Sequence, residues 1–112
     1  ETIQNQTSVE NIILKLGSRG VFCLHKLDKN KTFNFSVDSF VNRIIDPIGA
    51  GDALLAYASL TLHKTGSLII ASILGSIAAA CECEIDGNIP VKPEDVINKI
   101  DMVEKTMSYR LR

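Results

Sequence analysis

The stretch over residues 46–52, DPIGAGD, holds the residues whose types and spacing are best suited to chemistry. It ends an apolar run, crosses a turn that contains Gly49 and Gly51, and opens a long helical pattern. Glycine lets the backbone turn sharply, and the first N–H groups of a helix have no intrahelical partner, so a phosphate is well held there. Asp52 falls in the first helical turn, close enough to such an anion to orient or deprotonate an attacking hydroxyl group.

The same spacing also has a purely structural interpretation. Aspartate at the start of a helix often serves only as a cap, and glycine in a turn often serves only the turn. On the spacing alone both interpretations stay open. Two other segments of the chain bear on the choice.

Three segments together resemble one protein family. Residues 46–58, DPIGAGDALLAYA, resemble the C-terminal signature of the ribokinase/PfkB family of sugar kinases. Residues 14–21, LKLGSRGV, resemble the strand, turn and strand whose turn meets the nucleotide phosphates in that family. The alanines at 78–80 and the loop at 86–90 are similar to the helix and loop that border the adenine. The three lie in the family's order, which favours the phosphate site.

The resemblance implies ATP-dependent phosphorylation of a hydroxyl group on a sugar or sugar-like molecule, with Mg²⁺ accompanying the ATP. It implies that Asp52 orients the acceptor hydroxyl while the backbone N–H groups of Ala50, Gly51 and Asp52 face the transferred group, with Gly49 permitting the approach. Nucleotide contacts are implied for Gly17, Ser18, Gly20, Ser76, Gly87 and Asn88.

A monovalent-cation loop is also implied by the resemblance. Asp46 and the carbonyl group of Ile48, completed by carbonyl groups near Gly87, would hold K⁺. Two positions depart from the family pattern: Lys15 stands where threonine is usual, and Tyr57 stands where a small residue is expected. The first departure puts in doubt any contact made by that hydroxyl group.

Composition narrows the classes of partner. The chain has 112 residues, of which 46% are hydrophobic, which is enough for one domain with a core. The resemblance implies that residues 1–112 are a single partial domain. Its 12 basic and 13 acidic residues give a net charge of −1, which argues against nucleic acid and anionic membranes as partners. Cys23, Cys81 and Cys83 are too few and badly spaced for a disulfide framework or zinc site. We expect a cytoplasmic protein.

The residue pattern predicts an α/β fold, and the resemblance specifies the C-terminal part of a ribokinase-like three-layer α/β/α fold, with a parallel sheet, a β-hairpin and about three helices. The apolar run at 12–16 predicts a strand buried on both faces in the parallel sheet. Residues 21–27 and 32–37 predict the hairpin, and 41–45 a further short strand. Helices are predicted at 49–64, ended by Gly66, at 67–84, and from Pro93 onward.

Members of the resembled family are considerably longer than this chain. We therefore expect the rest of a larger kinase chain as a partner, beside ATP and a small sugar, and no sugar kinase activity from these 112 residues alone. A homodimer is left open. The alternatives are the corresponding portion of a heptose-phosphate kinase in an ADP-heptose-type pathway, a non-catalytic nucleotide-binding or interaction module, and a plain structural fragment.

Overall fold

The computed structural model describes residues 9–28, 31–41, 44, 47–84 and 90–110, with side chains described as far as residue 106. Strands and helices follow in two groups along this part of the chain. They are β1 (Asn11–Lys15), β2 (Val21–Lys26), β3 (Thr32–Val37), α1 (Ala50–Thr65), α2 (Leu68–Cys83) and α3 (Pro93–Arg110).

The three described strands form an antiparallel sheet in the order β1-β2-β3. Ile13 lies opposite Cys23, and Cys23 lies opposite Phe35. The predicted hairpin is confirmed, whereas the parallel, fully buried strand predicted at 12–16 is wrong. A turn this short cannot make the crossover that parallel strands need, and Leu14 and Lys15 are exposed.

The turn between β1 and β2 is a single 3₁₀ turn, Gly17–Arg19, followed by Gly20. The Leu16 N–H donates to the Gly20 carbonyl oxygen at 2.8 Å and closes the turn. Gly20 has a φ of 92°, and a Cβ atom there would lie 2.0 Å from the carbonyl oxygen of Val37. Glycine is therefore required where the turn packs on the end of β3.

We expect Gly20→Ala to lower the free energy of unfolding by about 2–3 kcal/mol, because the added Cβ overlaps a backbone oxygen at a φ that alanine rarely adopts. Chemical denaturation of the full-length protein measures the loss. Gly17→Ala is the matched control, since Gly17 has a φ of 61° with nothing within 4 Å. Gly17→Ala should lower the free energy of unfolding by only about 1 kcal/mol. Equal losses for the two variants would contradict the steric explanation.

Helices α1 and α2 pack side by side and are joined by a tight connection. Gly66 adopts the left-handed conformation after α1, and the Ser67 hydroxyl accepts the Ile70 N–H at the start of α2. A Cβ atom at Gly75 would lie 3.0 Å from the Cβ atom of Ala58, so the helices touch closely at that point. Both predicted helices are confirmed, and α2 is largely buried as its apolar sequence predicts.

Two apolar clusters hold the helices to the sheet and to one another. Val21, Cys23 and Val37 of the sheet pack against Leu54 and Leu68 of the helices. In the second cluster, Ile77, Ala78 and Cys81 of α2 pack against Val96 of α3. Helix α2 thus contributes to both clusters and anchors one wall of the site described below.

The third predicted helix is confirmed, beginning at Pro93. Lys99, which is 5% exposed, forms an ion pair of 2.7 Å with Glu84, the residue that follows α2. The Tyr57 hydroxyl donates to the Val91 carbonyl oxygen at 3.0 Å. Tyr57 therefore joins α1 to the segment before α3, which explains a large residue at that position.

Within the part of the chain that the structure describes, no helix has the length and apolar character needed to cross a membrane.

The strand predicted at 41–45 is not formed at Val41 or Ile44, the two positions of that segment that the structure describes. A strand forms only where its backbone bonds to a neighbouring strand. The last strand of the described sheet, β3, ends at Val37, and neither Val41 nor Ile44 pairs with a described strand. Residues 42, 43 and 45 lie outside the described residues.

Candidate functional site

A cleft of about 830 Å³ lies between the turn after β1, the start of α1 and one face of α2. A volume of this size is within the usual range for a small-molecule or cofactor site. Its walls are formed by Lys15, Gly17, Ser18, Gly20, Val21, Ser39, Val41, Ile44, Pro47, Ala50, Gly51, Leu54, Ser76, Ala79, Ala80 and Cys83. The cleft has a polar end at the two turns and an apolar end along α2.

The start of α1 forms part of the polar end. Gly49 precedes the helix with a φ of 89°, and no side chain caps it. The Ala50 N–H donates to the Pro47 carbonyl oxygen at 3.2 Å, which differs from the expectation that it faces a phosphate. No described residue accepts the N–H groups of Gly51 and Asp52. Among the described residues, the N–H groups of Gly51 and Asp52, rather than all three, are thus left for an anion.

The turn after β1 forms the other part of the polar end. Gly17, Ser18 and Gly20 all lie on the cleft wall, facing the start of α1 across it. Ser18 is exposed, so its hydroxyl group is accessible from the cleft. The fold therefore brings the two segments singled out from the sequence to opposite sides of one space.

The apolar end is formed by small residues on one face of α2. Ala79 and Ala80 lie on its wall, together with Cys83 near the end of the helix. Ser76 is 7% exposed, and its hydroxyl oxygen has no hydrogen-bond partner among the described residues. A buried polar group without a partner costs about 1–3 kcal/mol, so a ligand atom that paired with it would be favoured.

Asp52 lies beside the cleft, exposed on the first turn of α1. It borders a second hollow of about 480 Å³, which shares Lys15, Gly51 and Leu54 with the cleft. The bend before the helix is open, since Ile48 is 66% exposed. A group held at the Gly51 N–H can therefore be approached from the side on which the Asp52 carboxylate lies.

One protein family matches most of the chain. The family described as pfkB family carbohydrate kinase matches residues 1–95 of the chain. The chain belongs to this family. None of the curated proteins is similar enough in sequence to count as a relative.

Two solved structures show the fold of this pfkB family chain. It is similar to ribokinase from Thermotoga maritima, with a TM-score of 0.70 and 27% identity over 83% of this chain. It is also similar in fold to a nucleoside kinase from Methanocaldococcus jannaschii, an archaeal member of the ribokinase family, with a TM-score of 0.68 and 23% identity over 84% of the chain. The match covers 30% and 31% of those proteins, so this is a partial, ribokinase-like α/β fold.

Most of the site residues predicted from the sequence lie together. Gly17, Ser18, Gly20, Ala50, Gly51 and Ser76 share the cleft, as do two of the three predicted alanines, and Asp52 borders the adjoining hollow. Asp46, Gly87 and Asn88 lie outside the described residues. The K⁺ loop, which depends on Asp46 and Ile48, stays a prediction, as do the cytoplasmic location and the homodimer.

Lys15 and Cys83 are among the residues of the cleft wall that were not predicted as site residues. The signal for Lys15 was its strand position, two residues from Ile13, which places both on one face. The sequence indicates the position of Cys83 less strongly. Cys83 comes four residues after Ala79 on a predicted helix, so the two residues share one helix face.

We expect a thiol-alkylating reagent to modify Cys83 first and ATP to slow that reaction, because Cys83 is the partly exposed cysteine and lies on the cleft wall. Burial raises the pKa of Cys81 to about 11, and burial also raises the pKa of Cys23, so both keep unreactive neutral thiols near pH 8. Mass spectrometry of iodoacetamide-treated protein, with and without ATP, measures each rate. Alkylation of Cys83 at the same rate with and without ATP would place the nucleotide elsewhere.

Proposed function

We propose that the protein transfers the γ-phosphoryl group of ATP to a hydroxyl group of a sugar or sugar-like small molecule. The observation that carries the proposal is the cleft. It joins two helix N–H groups that have no acceptor among the described residues, a glycine-rich turn and a neighbouring carboxylate. Membership of the pfkB family supports the same reaction class.

The cleft suits the two ends of a nucleotide. Its polar end offers the N–H groups of Gly51 and Asp52 and the Ser18 hydroxyl group to phosphate oxygens. Its apolar end offers Ala79 as a surface for the adenine ring, and the buried Ser76 hydroxyl group, which has no partner among the described residues, lies on the same wall. The γ-phosphoryl group then lies next to α1.

In phosphoryl transfer, the protein mainly positions the reacting groups and stabilises charge on the oxygens of the transferred phosphoryl group. The N–H groups of Gly51 and Asp52 are fixed by the helix and need no rearrangement as charge develops. The Asp52 carboxylate accepts a hydrogen bond from the acceptor hydroxyl, aims its oxygen at phosphorus, and takes up the proton when the new P–O bond forms. ADP leaves with the electron pair of the broken bond.

Magnesium is the metal that the family's use of ATP implies, and it neutralises phosphate charge when it accompanies the nucleotide. Among the described residues no group of three or more His, Cys, Asp or Glu side chains could hold a metal. The described side chains therefore form no metal site of this kind. No step is therefore assigned to a metal held by the described side chains.

Exposed apolar side chains support the proposal that this chain packs against the rest of a larger kinase. Leu55 and Leu60 on α1 are 67% and 63% exposed, and Ile97 and Met102 on α3 are 57% and 54% exposed. Large apolar side chains with this exposure are available to pack against another part of a longer chain. We propose that the remaining kinase chain covers it and supplies the acceptor pocket facing Asp52.

The test is ATP-dependent product formation by the full-length protein with a panel of ribose, fructose, a heptose phosphate and a nucleoside. ³¹P NMR would identify a sugar phosphate and ADP formed in equal amounts. Acceptor-dependent ADP release with at least one member supports the proposal. ATP binding without transfer to any member would favour the non-catalytic nucleotide-binding module instead.

A further inference from the structure

The side chain of Lys15 reaches across from β1 to the start of α1. A Cβ atom built on Gly51 would lie 2.6 Å from Lys15 Nζ, so the ammonium group rests against the second residue of the helix. Lys15 also lies on the walls of both the cleft and the second hollow. The ammonium group thus borders the N–H groups assigned above to the anion.

The register of the sheet explains this position. Lys15 pairs with Val21, and Ile13 pairs with Cys23, so all four lie on the same face of the sheet. Val21 and Cys23 belong to the core cluster that includes Leu54 of α1. The stem of Lys15 therefore extends from the helix-facing side of the sheet, and this directs its charge to the cleft rather than to the opposite face.

The ammonium group of Lys15 lies beside a helix end whose partial charge has the same sign. The N-terminal end of a helix carries partial positive charge, and a cation there is destabilising. Among the described residues, Lys15 forms no ion pair with a carboxylate. An anion bound between the ammonium group and the helix would interact favourably with both.

A second observation in the same cleft also indicates a ligand. Ser76 is more than nine-tenths buried, and its hydroxyl group has no partner among the described residues although it lies on the cleft wall. The cleft therefore contains a buried polar atom without a described partner at one end and a lysine ammonium group beside the helix N-terminus at the other. A molecule with a polar group and a phosphate satisfies both.

We propose that Lys15 is the side-chain cation of this site and binds the terminal phosphate of ATP, next to the Gly51 and Asp52 N–H groups. The inference rests on the proposed function. The ammonium group donates hydrogen bonds to phosphate oxygens that the two N–H groups leave free. It remains in contact as the phosphoryl group moves toward the acceptor, so it acts on both ATP affinity and transfer. Threonine at this position could not supply the charge.

The test compares Lys15→Gln with Lys15→Arg in the full-length protein, using calorimetric titration with ATP and with adenosine. We expect Lys15→Gln to weaken ATP binding by about 10- to 100-fold and to leave adenosine binding within about twofold, because only ATP carries the phosphates. Lys15→Arg should restore most of the ATP affinity. The difference in ATP affinity between wild type and Lys15→Gln should become smaller as the salt concentration is raised.

Lys64→Gln is the matched control, because Lys64 is an exposed lysine in the last turn of the same helix. It should leave both affinities unchanged. Should Lys15→Gln not fold, Lys15→Thr gives the same comparison with a residue suited to a strand. Unchanged ATP affinity in the neutral variant, or an equal loss for ATP and adenosine, would overturn the inference.

The outcome for Lys15 is separable from the outcome for the proposed function. A wild-type protein that binds ATP but transfers no phosphoryl group overturns the function, while the affinity comparison still decides the role of Lys15. A protein that transfers the phosphoryl group equally well with glutamine at position 15 overturns only the Lys15 inference. A wild type that binds no ATP overturns both.

Discussion

Asp52→Asn is expected to reduce turnover by the full-length protein at least about 100-fold, the usual lower scale for loss of a general base. Asparagine keeps the size of the side chain but carries no charge and cannot take up the acceptor proton. ATP affinity should change little, since the N–H groups of Gly51 and Asp52 are unaltered. Steady-state kinetics with varied ATP, alongside titration with ATP alone, separates the two quantities.

Asp101→Asn is the control for Asp52→Asn. Asp101 is also an exposed helical aspartate, but it lies on α3 and not on the wall of the cleft or the hollow. Its replacement should leave turnover and ATP affinity unchanged. Turnover of Asp52→Asn within a few-fold of wild type would remove Asp52 from the proposed role, even if ATP still binds in the cleft.

Gly49→Ala is the second variant for which we expect a large effect. Gly49 has a φ of 89°, a value at which a Cβ atom is strained by about 1–2 kcal/mol. Relief of that strain requires rotation of the backbone just before α1, which redirects the first N–H groups of the helix. Loss of one aligned donor costs about 2.7–4 kcal/mol of barrier, so kcat should fall about 100- to 1,000-fold.

Gly66→Ala provides a closely matched control for this variant. Gly66 has a φ of 68° at the other end of the same helix, and nothing lies within 4 Å of a Cβ atom built there. Thermal unfolding should show similar losses of stability for the two variants, while only Gly49→Ala should lose turnover. Equal kinetic effects would mean that Gly49→Ala acts through stability and not through the alignment of the donors.

The helices could be predicted closely because their ends carry strong local signals. Gly66 supplies the left-handed residue after α1, Ser67 caps α2, and Pro93 begins α3. Each signal acts within one helical turn, so no distant contact is needed to recognise it. The same local signals are enough to predict that Asp52 lies in the first turn of α1.

The direction of β1 could not be predicted, because a short apolar run is compatible with either a parallel or an antiparallel neighbour. The pairing of Lys15 with Val21 depends on the geometry of the turn between them. That pairing is also what directs Lys15 to the start of α1. The sequence therefore shows that Lys15 departs from the family pattern, but it does not show that the side chain of Lys15 reaches the start of α1.

The detailed hydrogen bonding of the site also lay beyond the sequence. The Ala50 N–H is used by the Pro47 carbonyl oxygen, and the Ser76 hydroxyl has no partner among the described residues. Both facts depend on distances that are set by packing between α1, α2 and the sheet. The residue types are enough to predict where an anion could bind. Which N–H groups remain available to that anion depends on the packing.

A structure of the full-length protein with a non-hydrolysable ATP analogue tests the central claim most directly. We predict γ-phosphate oxygens about 2.7–3.1 Å from the N–H groups of Gly51 and Asp52. The adenine should lie against Ala79 at the other end of the cleft. Phosphates bound away from the start of α1, with the adenine outside the cleft, would contradict the account.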